Sequence, residues 1–163
     1  MTQTSAANAP EQKKLLTDTR LDSLGLHPTI ISGLTQRGFT HATPIQAETL
    51  PLALKGEDIA GQAHTGTGKT AAFLLATLHR LLRDTPKPSE SAPSQASQPR
   101  ALILAPTREL ADQIYKDALP LAADTGLKCV VCYGGTGYEE QRQSIVDGVD
   151  VLIGTPGRLI DYY

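Results

Sequence analysis

The sequence has few cysteines, little net charge and no long apolar run, and each shortage excludes a class of protein. Two cysteines in 163 residues are too few for the disulfide framework of a small secreted domain. A net charge of −2 gives no overall attraction to nucleic acid, so such binding requires a local patch. No stretch is long and apolar enough to span a membrane, and no basic-then-apolar leader opens the chain. We therefore expect one domain of ordinary size, located in the cytoplasm.

The two cysteines, Cys129 and Cys132, form a C-x-x-C spacing inside an apolar segment that predicts a strand. Residues three apart on a strand point to opposite faces, so these thiols cannot easily share one metal ion. No second cysteine pair completes a zinc site. We expect both side chains to pack in the core.

A glycine-rich segment over 63–70 reads Ala-His-Thr-Gly-Thr-Gly-Lys-Thr and carries the strongest functional signal in the chain. It follows a short apolar run over 58–61 that predicts a strand, and it precedes a helical pattern. Strand, glycine-rich turn and helix are the context of a phosphate-binding loop, whereas an ordinary glycine turn is the simpler alternative. So specific a match seldom arises by chance in a chain of this length, which favours nucleotide phosphate binding.

Each position of this loop suits a chemical role. Gly66 and Gly68 let the backbone point its N–H groups at phosphate oxygens, and the following helix adds its positive end. Lys69 would reach the outer phosphates, and the Thr70 hydroxyl would hold Mg²⁺. The commonest form of the pattern begins with glycine, and here that place is Ala63.

Strand and helix signals alternate along the chain. We expect a disordered tail over 1–20 and a flexible surface insertion over 84–99, where proline and serine are frequent. The predicted helices cover 27–36, 44–55, the segment from the phosphate loop to 83, a segment around 110–118, 137–146 and a segment from 156. The predicted strands after the insertion cover 101–105, 129–133 and 149–153. This alternation predicts an α/β domain with a parallel sheet, in which the first of these three strands is covered on both faces.

Three strand-to-helix junctions resemble one another. They are Pro106-Thr107-Arg108, Gly134-Gly135-Thr136-Gly137 and Thr155-Pro156-Gly157-Arg158. Because the carboxyl ends of parallel strands meet at one edge of a sheet, we expect these junctions to lie together. Helix N–H groups, hydroxyls, glycines and two arginines suit the phosphates and sugars of a nucleic-acid strand rather than its base edges. Taken singly, each junction could simply cap a helix or make a turn. Together, beside a phosphate loop, they favour a nucleic-acid track.

With these motifs the chain resembles the amino-terminal part of a bacterial DEAD-box ATP-dependent RNA helicase. The resemblance rests on Gly-Gln-Ala-x-Thr-Gly-Thr-Gly-Lys-Thr, Tyr-Gly-Gly-x-Gly-Tyr and Gly-Arg-Leu-Ile-Asp-Tyr, and it covers 21–163 apart from the insertion. It implies a RecA-like P-loop NTPase domain and RNA duplex unwinding coupled to ATP hydrolysis, in RNA turnover. It also implies RNA as a partner, contacted through its backbone at the three junctions with weak sequence preference, and association with an RNA-degradation complex.

A further motif of this family, the Q motif, resembles residues 38–46. The Gln46 amide offers a donor and an acceptor that match N7 and N6 of adenine, which supports ATP over GTP. Phe39 is the candidate for packing on the base, and the family's further upstream aromatic position is occupied here by Leu21. The predicted ATP-binding residues are Phe39, Thr43, Gln46, Ala63, His64, Thr65, Gly66, Thr67, Gly68, Lys69 and Thr70, of which Lys69 and Thr70 are predicted to be catalytic.

The family's Asp-Glu-Ala-Asp motif, its Ser-Ala-Thr motif and its second domain do not occur in the sequence up to Tyr163. In the family these carboxylates hold Mg²⁺ and orient the attacking water, and the strands that carry the two motifs lie in the middle of the sheet. We therefore expect an incomplete sheet, in a fragment that is weakly stable alone and does not hydrolyse ATP.

Two alternatives remain open at this stage. One is a binding module that holds RNA or nucleotide without turnover. The other is an unrelated P-loop enzyme such as a small-molecule kinase, which would need its own acidic residue and substrate pocket and would have no reason to carry the Q motif and the three junctions.

Overall fold

The computed structural model describes residues 16–84, 98–135 and 137–162. Most of the predicted tail and most of the predicted insertion therefore lie outside the described residues. The last part of the predicted tail lies within the described residues, and its backbone pairs with residues 41 and 42. The Thr17 N–H donates to the Ala42 carbonyl at 2.8 Å, and Arg20 forms an antiparallel bridge with His41. The predicted tail was thus drawn too long, because backbone hydrogen bonds fix residues 17–20.

The order of elements follows the predicted alternation. After a 3₁₀ turn at Leu21–Leu24, the helices are α1 (Pro28–Gln36), α2 (Pro44–Ala53), α3 (Lys69–Arg83), α4 (Arg108–Ala122), α5 (Tyr138–Val146) and α6 (Pro156–Asp161). The strands are β1 (Ala101–Leu104), β2 (Cys129–Cys132) and β3 (Val151–Gly154). The helix starts agree with the sequence because proline stands in the first turn of α1, α2 and α6, where its missing N–H costs nothing.

The three strands form one parallel sheet in the order β1-β3-β2. The register places Leu102 and Val130 on either side of Leu152. A parallel sheet whose strands are each followed by a helix confirms the predicted fold class. Within the described residues the sheet has three strands, in agreement with the predicted incomplete sheet.

The sheet separates two apolar clusters. On one face, α4 packs against β2 and β3, and α1 and α3 pack against α4. Their side chains share one cluster with Val151, Ile153 and Cys129. On the other face, Val130, Cys132 and Leu152 pack with side chains from α5 and α6. The two cysteines therefore point to opposite faces, as predicted, and both are buried free thiols. Burial raises the pKa of Cys129 to about 11 and also raises the pKa of Cys132, so both thiols stay protonated at neutral pH.

Strand β1 is covered on one face only, contrary to the prediction. Leu102 and Leu104 are 57% and 58% exposed. The register puts them on the same face as Leu152, but the helices on that face, α5 and α6, pack over β2 and β3 rather than over β1. The apolar composition of this segment correctly predicted a strand. The prediction that both faces of this strand would be covered was wrong.

The strand predicted over 58–61 does not form. Residues 57–64 have no regular secondary structure. A groove of about 720 Å³ separates this segment from β1, with Ile59 and Phe73 on one side and Leu102 and Leu104 on the other. A strand requires a neighbour for its backbone N–H and C=O groups, and within the described ranges none lies beside this segment. No helix in those ranges is both long and apolar enough to cross a membrane.

Candidate nucleotide and nucleic-acid sites

The glycine-rich loop leads directly into α3. Gly68 is the residue before the helix, with a φ of 91° that side-chain-bearing residues rarely adopt, and no side chain caps the first N–H groups of α3. A Cβ at Gly68 would lie 2.6 Å from Gln46 Nε2 and 2.8 Å from Thr43 Oγ1. Glycine is therefore required at position 68 for two reasons, the backbone conformation and the close approach of α2. Uncapped N–H groups at a helix start are a site for anions.

The lysine of the loop is held by the loop itself. Lys69 Nζ donates to the carbonyl oxygens of Ala63 and His64, the second at 2.6 Å. The Thr67 hydroxyl donates to the same His64 carbonyl at 2.8 Å. The ammonium group thus lies inside the curve of the loop, where a phosphate could compete with two carbonyl oxygens for it.

The Gln46 side chain joins α2 to the loop. It is only 7% exposed. Its Oε1 accepts from the Thr43 N–H at 3.0 Å, and its Nε2 donates to the Gly68 carbonyl at 3.2 Å. These bonds use one donor and one acceptor position, and the amide has a second donor hydrogen and further acceptor capacity. The described contacts of Gln46 are therefore structural, and its predicted role toward adenine stays a prediction.

A cleft of about 670 Å³ connects the Q motif with the phosphate loop. This volume is within the range typical of small-molecule sites. Eight of the eleven residues predicted to bind ATP line it, namely Phe39, Thr43, Gln46, Thr65, Gly66, Gly68, Lys69 and Thr70. Phe39 is 57% exposed, and Leu21 is buried at the wall of the cleft. The three remaining residues, Ala63, His64 and Thr67, contribute to the loop through the hydrogen bonds just described.

The three junctions meet at the carboxyl edge of the sheet. A cavity of about 500 Å³ there is lined by seven of the nine residues predicted to contact RNA, namely Pro106, Thr107, Arg108, Gly134, Thr155, Gly157 and Arg158. Glu109 and Asp161 complete its lining. We call this surface the strand-end track. The sheet brings the junctions together as expected, because β1, β2 and β3 are parallel and in register.

Gly135 lies outside the lining but supports it. Its φ is 86°, and a Cβ there would lie 2.9 Å from the guanidinium carbon of Arg108. The Arg108 side chain, from the start of α4, thus crosses to the end of β2 and rests on this glycine. This close approach is possible only because Gly135 has no side chain. Gly135 thus allows the positive charge of Arg108 to lie at the end of β2.

The two threonines of the track differ in their hydrogen bonds. The Thr107 hydroxyl accepts from the Leu110 N–H at 3.2 Å and so caps α4. Thr155 makes no side-chain cap for α6, and its backbone N–H donates to the Cys132 carbonyl at 3.2 Å. The simple capping explanation therefore holds for Thr107 and does not hold for Thr155.

Several residues at these sites were not assigned a role from the sequence. Arg37, Gln113 and Asp117 line the nucleotide cleft, and no motif contains them. Tyr138 and Tyr162 enclose Arg158 beside the track. Both tyrosines end motifs that carry the family resemblance, but those motifs gave no indication that their rings pack on Arg158.

The matching family model is that of the DEAD/DEAH box helicases, and it matches residues 43–163. Since this is most of the chain, the chain belongs to the DEAD/DEAH box helicase family. The unrelated P-loop enzyme considered from the sequence is thereby set aside.

The bacterial type indicated by the sequence motifs is also supported. The chain is 57% identical over 149 residues to the ATP-dependent RNA helicase RhlB of Xanthomonas oryzae pv. oryzae, covering 91% of this chain and 25% of that protein. It is 55% identical over 150 residues to RhlB of Proteus mirabilis, covering 92% of this chain and 34% of that protein. The chain thus spans between 25% and 34% of the length of these relatives.

A solved structure supports the fold. The crystal structure of the RNA-helicase Prp28 from Chaetomium thermophilum bound to ADP matches with a TM-score of 0.75 and 36% sequence identity. The match covers 90% of this chain and 34% of that one. The described domain is therefore RecA-like, as the resemblance implied.

Proposed function

We propose that the chain is the nucleotide-binding and RNA-binding part of an ATP-dependent RNA helicase that separates RNA strands. One observation carries the proposal: the cleft at the phosphate loop and the strand-end track gather most of the residues predicted for ATP and for RNA at two surfaces of one domain. The names of the RhlB relatives agree with it.

On the nucleotide side, we assign the phosphates to the N–H groups at the start of α3. Lys69 would exchange its bonds to the Ala63 and His64 carbonyls for bonds to the outer phosphates. Phe39 would cover the base, and the Gln46 amide would read its edge with the donor and acceptor capacity left over from Thr43 and Gly68.

Magnesium fits this site only in part. Among the described residues no group of three or more His, Cys, Asp or Glu side chains could hold a metal ion. The Thr70 hydroxyl is the ligand that the loop itself offers. When bound, the ion would neutralise phosphate charge. We assign Lys69 and Thr70 to ATP binding in this chain, and we expect the 163-residue chain to bind ATP without hydrolysing it.

On the RNA side, we assign the phosphates and sugars of one strand to the strand-end track. Arg108 supplies positive charge, and Thr155 and the glycines at 134, 135 and 157 allow the sugar-phosphate chain to approach the backbone. Few side chains of the track could reach base edges, so affinity should depend on salt and little on sequence. In the longer protein we expect ATP-dependent domain closure on the RNA, in the cytoplasm and in association with an RNA-degradation complex, as the family resemblance implies.

Three measurements on the purified chain test this proposal. A filter-binding titration with labelled single-stranded RNA should show binding that weakens steeply with salt, and a fluorescent ATP analogue should bind and be displaced by ATP. Phosphate release should stay at the level of a blank. Absence of salt-dependent RNA binding, or displacement by GTP as readily as by ATP, would contradict the assignment of the two sites.

A further inference from the structure

Arg158 is the least exposed charged side chain of the track. Only 7% of the residue is exposed, although it lines the cavity. Its guanidinium carbon lies 5.3 Å from the ring centroid of Tyr138 and 5.7 Å from that of Tyr162. Arginine is rarely so buried unless other groups compensate its charge. Here the two aromatic faces do so together with the Asp161 carboxylate, 3.8 Å from Arg158 Nε, and the Tyr162 hydroxyl, which accepts from Arg158 Nη1 at 3.4 Å.

The two tyrosines are tied to each other across α5 and α6. Their ring centroids are 4.8 Å apart, with the planes inclined by 47°. The Tyr138 hydroxyl donates to the Asp161 carbonyl at 3.1 Å, and the Tyr162 hydroxyl donates to the Tyr138 carbonyl at 3.0 Å. Each hydroxyl thus bonds the backbone of the opposite element, so the first residue of α5 is fixed against the end of α6.

A glutamine extends this connection to the end of β2. Gln141 Nε2 donates to the Tyr133 carbonyl at 3.2 Å, and Gln141 Oε1 accepts from the Tyr133 N–H at 3.0 Å. The same Oε1 accepts from Arg158 Nη1 at 3.3 Å. Tyr133 is the residue directly before Gly134, so Arg158 is connected to the glycine turn of the track through one side chain.

We propose that Tyr138, Arg158 and Tyr162 form a positioning clamp for the strand-end track. The clamp holds the glycine turn after β2 and the start of α6 at a fixed separation, so that their backbone groups face one RNA strand together. Arg158 acts through this packing and does not neutralise a phosphate, whereas Arg108 does. The inference rests on the proposed RNA binding by the track, and it replaces the direct RNA contact that the sequence predicted for Arg158.

The salt dependence of RNA binding separates the two roles. Each phosphate neutralised by a side chain adds about 0.7 to the slope of log affinity against log salt for single-stranded nucleic acid. We therefore expect Arg108→Gln to reduce the slope by about 0.7. Arg158→Gln should weaken binding about tenfold at fixed salt with the slope unchanged. Arg158→Lys should be no better than Arg158→Gln, because lysine keeps the charge but not the planar fork that meets Gln141 and the rings.

Controls distinguish a clamp from a general loss of charge or of folding. Arg142→Gln removes an exposed arginine from α5, outside the cavity, and should leave affinity and slope at the wild-type values. Thermal melting of every variant checks folding. If Arg158→Gln does not fold, the double variant Tyr138→Phe with Tyr162→Phe keeps both rings and loses the three hydrogen bonds of the two hydroxyls. It should bind about threefold more weakly at an unchanged slope.

Three results would overturn the clamp while leaving the proposed function in place. These are a slope reduced by Arg158→Gln as much as by Arg108→Gln, full affinity restored by Arg158→Lys, and wild-type affinity in the folded clamp variants. If the wild-type chain shows no salt-dependent RNA binding, the proposed function itself fails, and the role of the clamp fails with it.

Discussion

The phosphate loop and the strand-end track are supported in different ways. The loop lies outside the described sheet and is held by side chains, with Gln46 bonded to the Gly68 carbonyl and Lys69 bonded to two loop carbonyls. The track stands on the ends of three hydrogen-bonded strands. The nucleotide side should therefore depend on a few side-chain bonds, and the RNA side on the sheet. Substitutions should separate the two.

The largest effect is expected for Lys69→Ala. Loss of the charge-assisted bonds to phosphate should weaken ATP binding by about 10- to 100-fold, while RNA binding at the track stays unchanged. Titration with a fluorescent ATP analogue and with labelled RNA measures both. Lys116→Ala is the matched control, because Lys116 lies exposed on α4 and pairs with Asp112. If Lys69→Ala weakens RNA binding as much as ATP binding, or loses no more ATP affinity than Lys116→Ala, the two sites are not separate in the way proposed.

The next effect concerns stability. Gln46→Ala removes one hydrogen bond that caps the start of α2 and one that holds the loop at Gly68, so the free energy of unfolding should fall by about 1–2 kcal/mol. Gln36→Ala removes an exposed glutamine that bonds only the Ser32 hydroxyl among its described contacts, and should change it by less than about 0.5 kcal/mol. Urea denaturation compares them. Indistinguishable midpoints would mean that Gln46 does not hold the loop.

A smaller effect is expected from two glycines with left-handed backbones. Gly135→Ala and Gly126→Ala should each cost about 1 kcal/mol from the positive φ. A Cβ at Gly126 meets no other atom within 4 Å, whereas one at Gly135 meets the Arg108 guanidinium. Only Gly135→Ala should therefore weaken RNA binding as well. Equal RNA affinities of the two variants would show that the Arg108 position is irrelevant to the track.

The smallest effect is expected on the open face of β1, outside both the phosphate loop and the strand-end track. Leu102→Gln and Leu104→Gln should change the free energy of unfolding by less than about 0.5 kcal/mol, because both side chains are mostly exposed. Ile153→Val, on buried β3, should cost about 0.5–1.5 kcal/mol. Chemical denaturation of the three variants tests this. A larger loss at Leu102 than at Ile153 would mean that this face is covered in solution.

The sequence was informative where structure is decided locally or by strand direction. Helix α3 begins at the predicted residue because the glycine loop starts it, and it also ends at the predicted residue. The three junctions meet because parallel strands share one carboxyl edge. The segment over 58–61 has the composition of a strand, but pairing depends on a neighbour, which composition does not report. Nor could any local pattern show that Tyr138, on a different helix, lies against Arg158.

The placement of the cysteines has a consequence for measurement. Cys129 belongs to the cluster beneath α4, and Cys132 to the cluster beneath α5 and α6. A thiol reagent reaches each sulfur only when the layer above it opens, so two labelling rates from one sample record the opening of each side separately. The two thiols thus serve as separate probes of local opening on the two sides of the sheet.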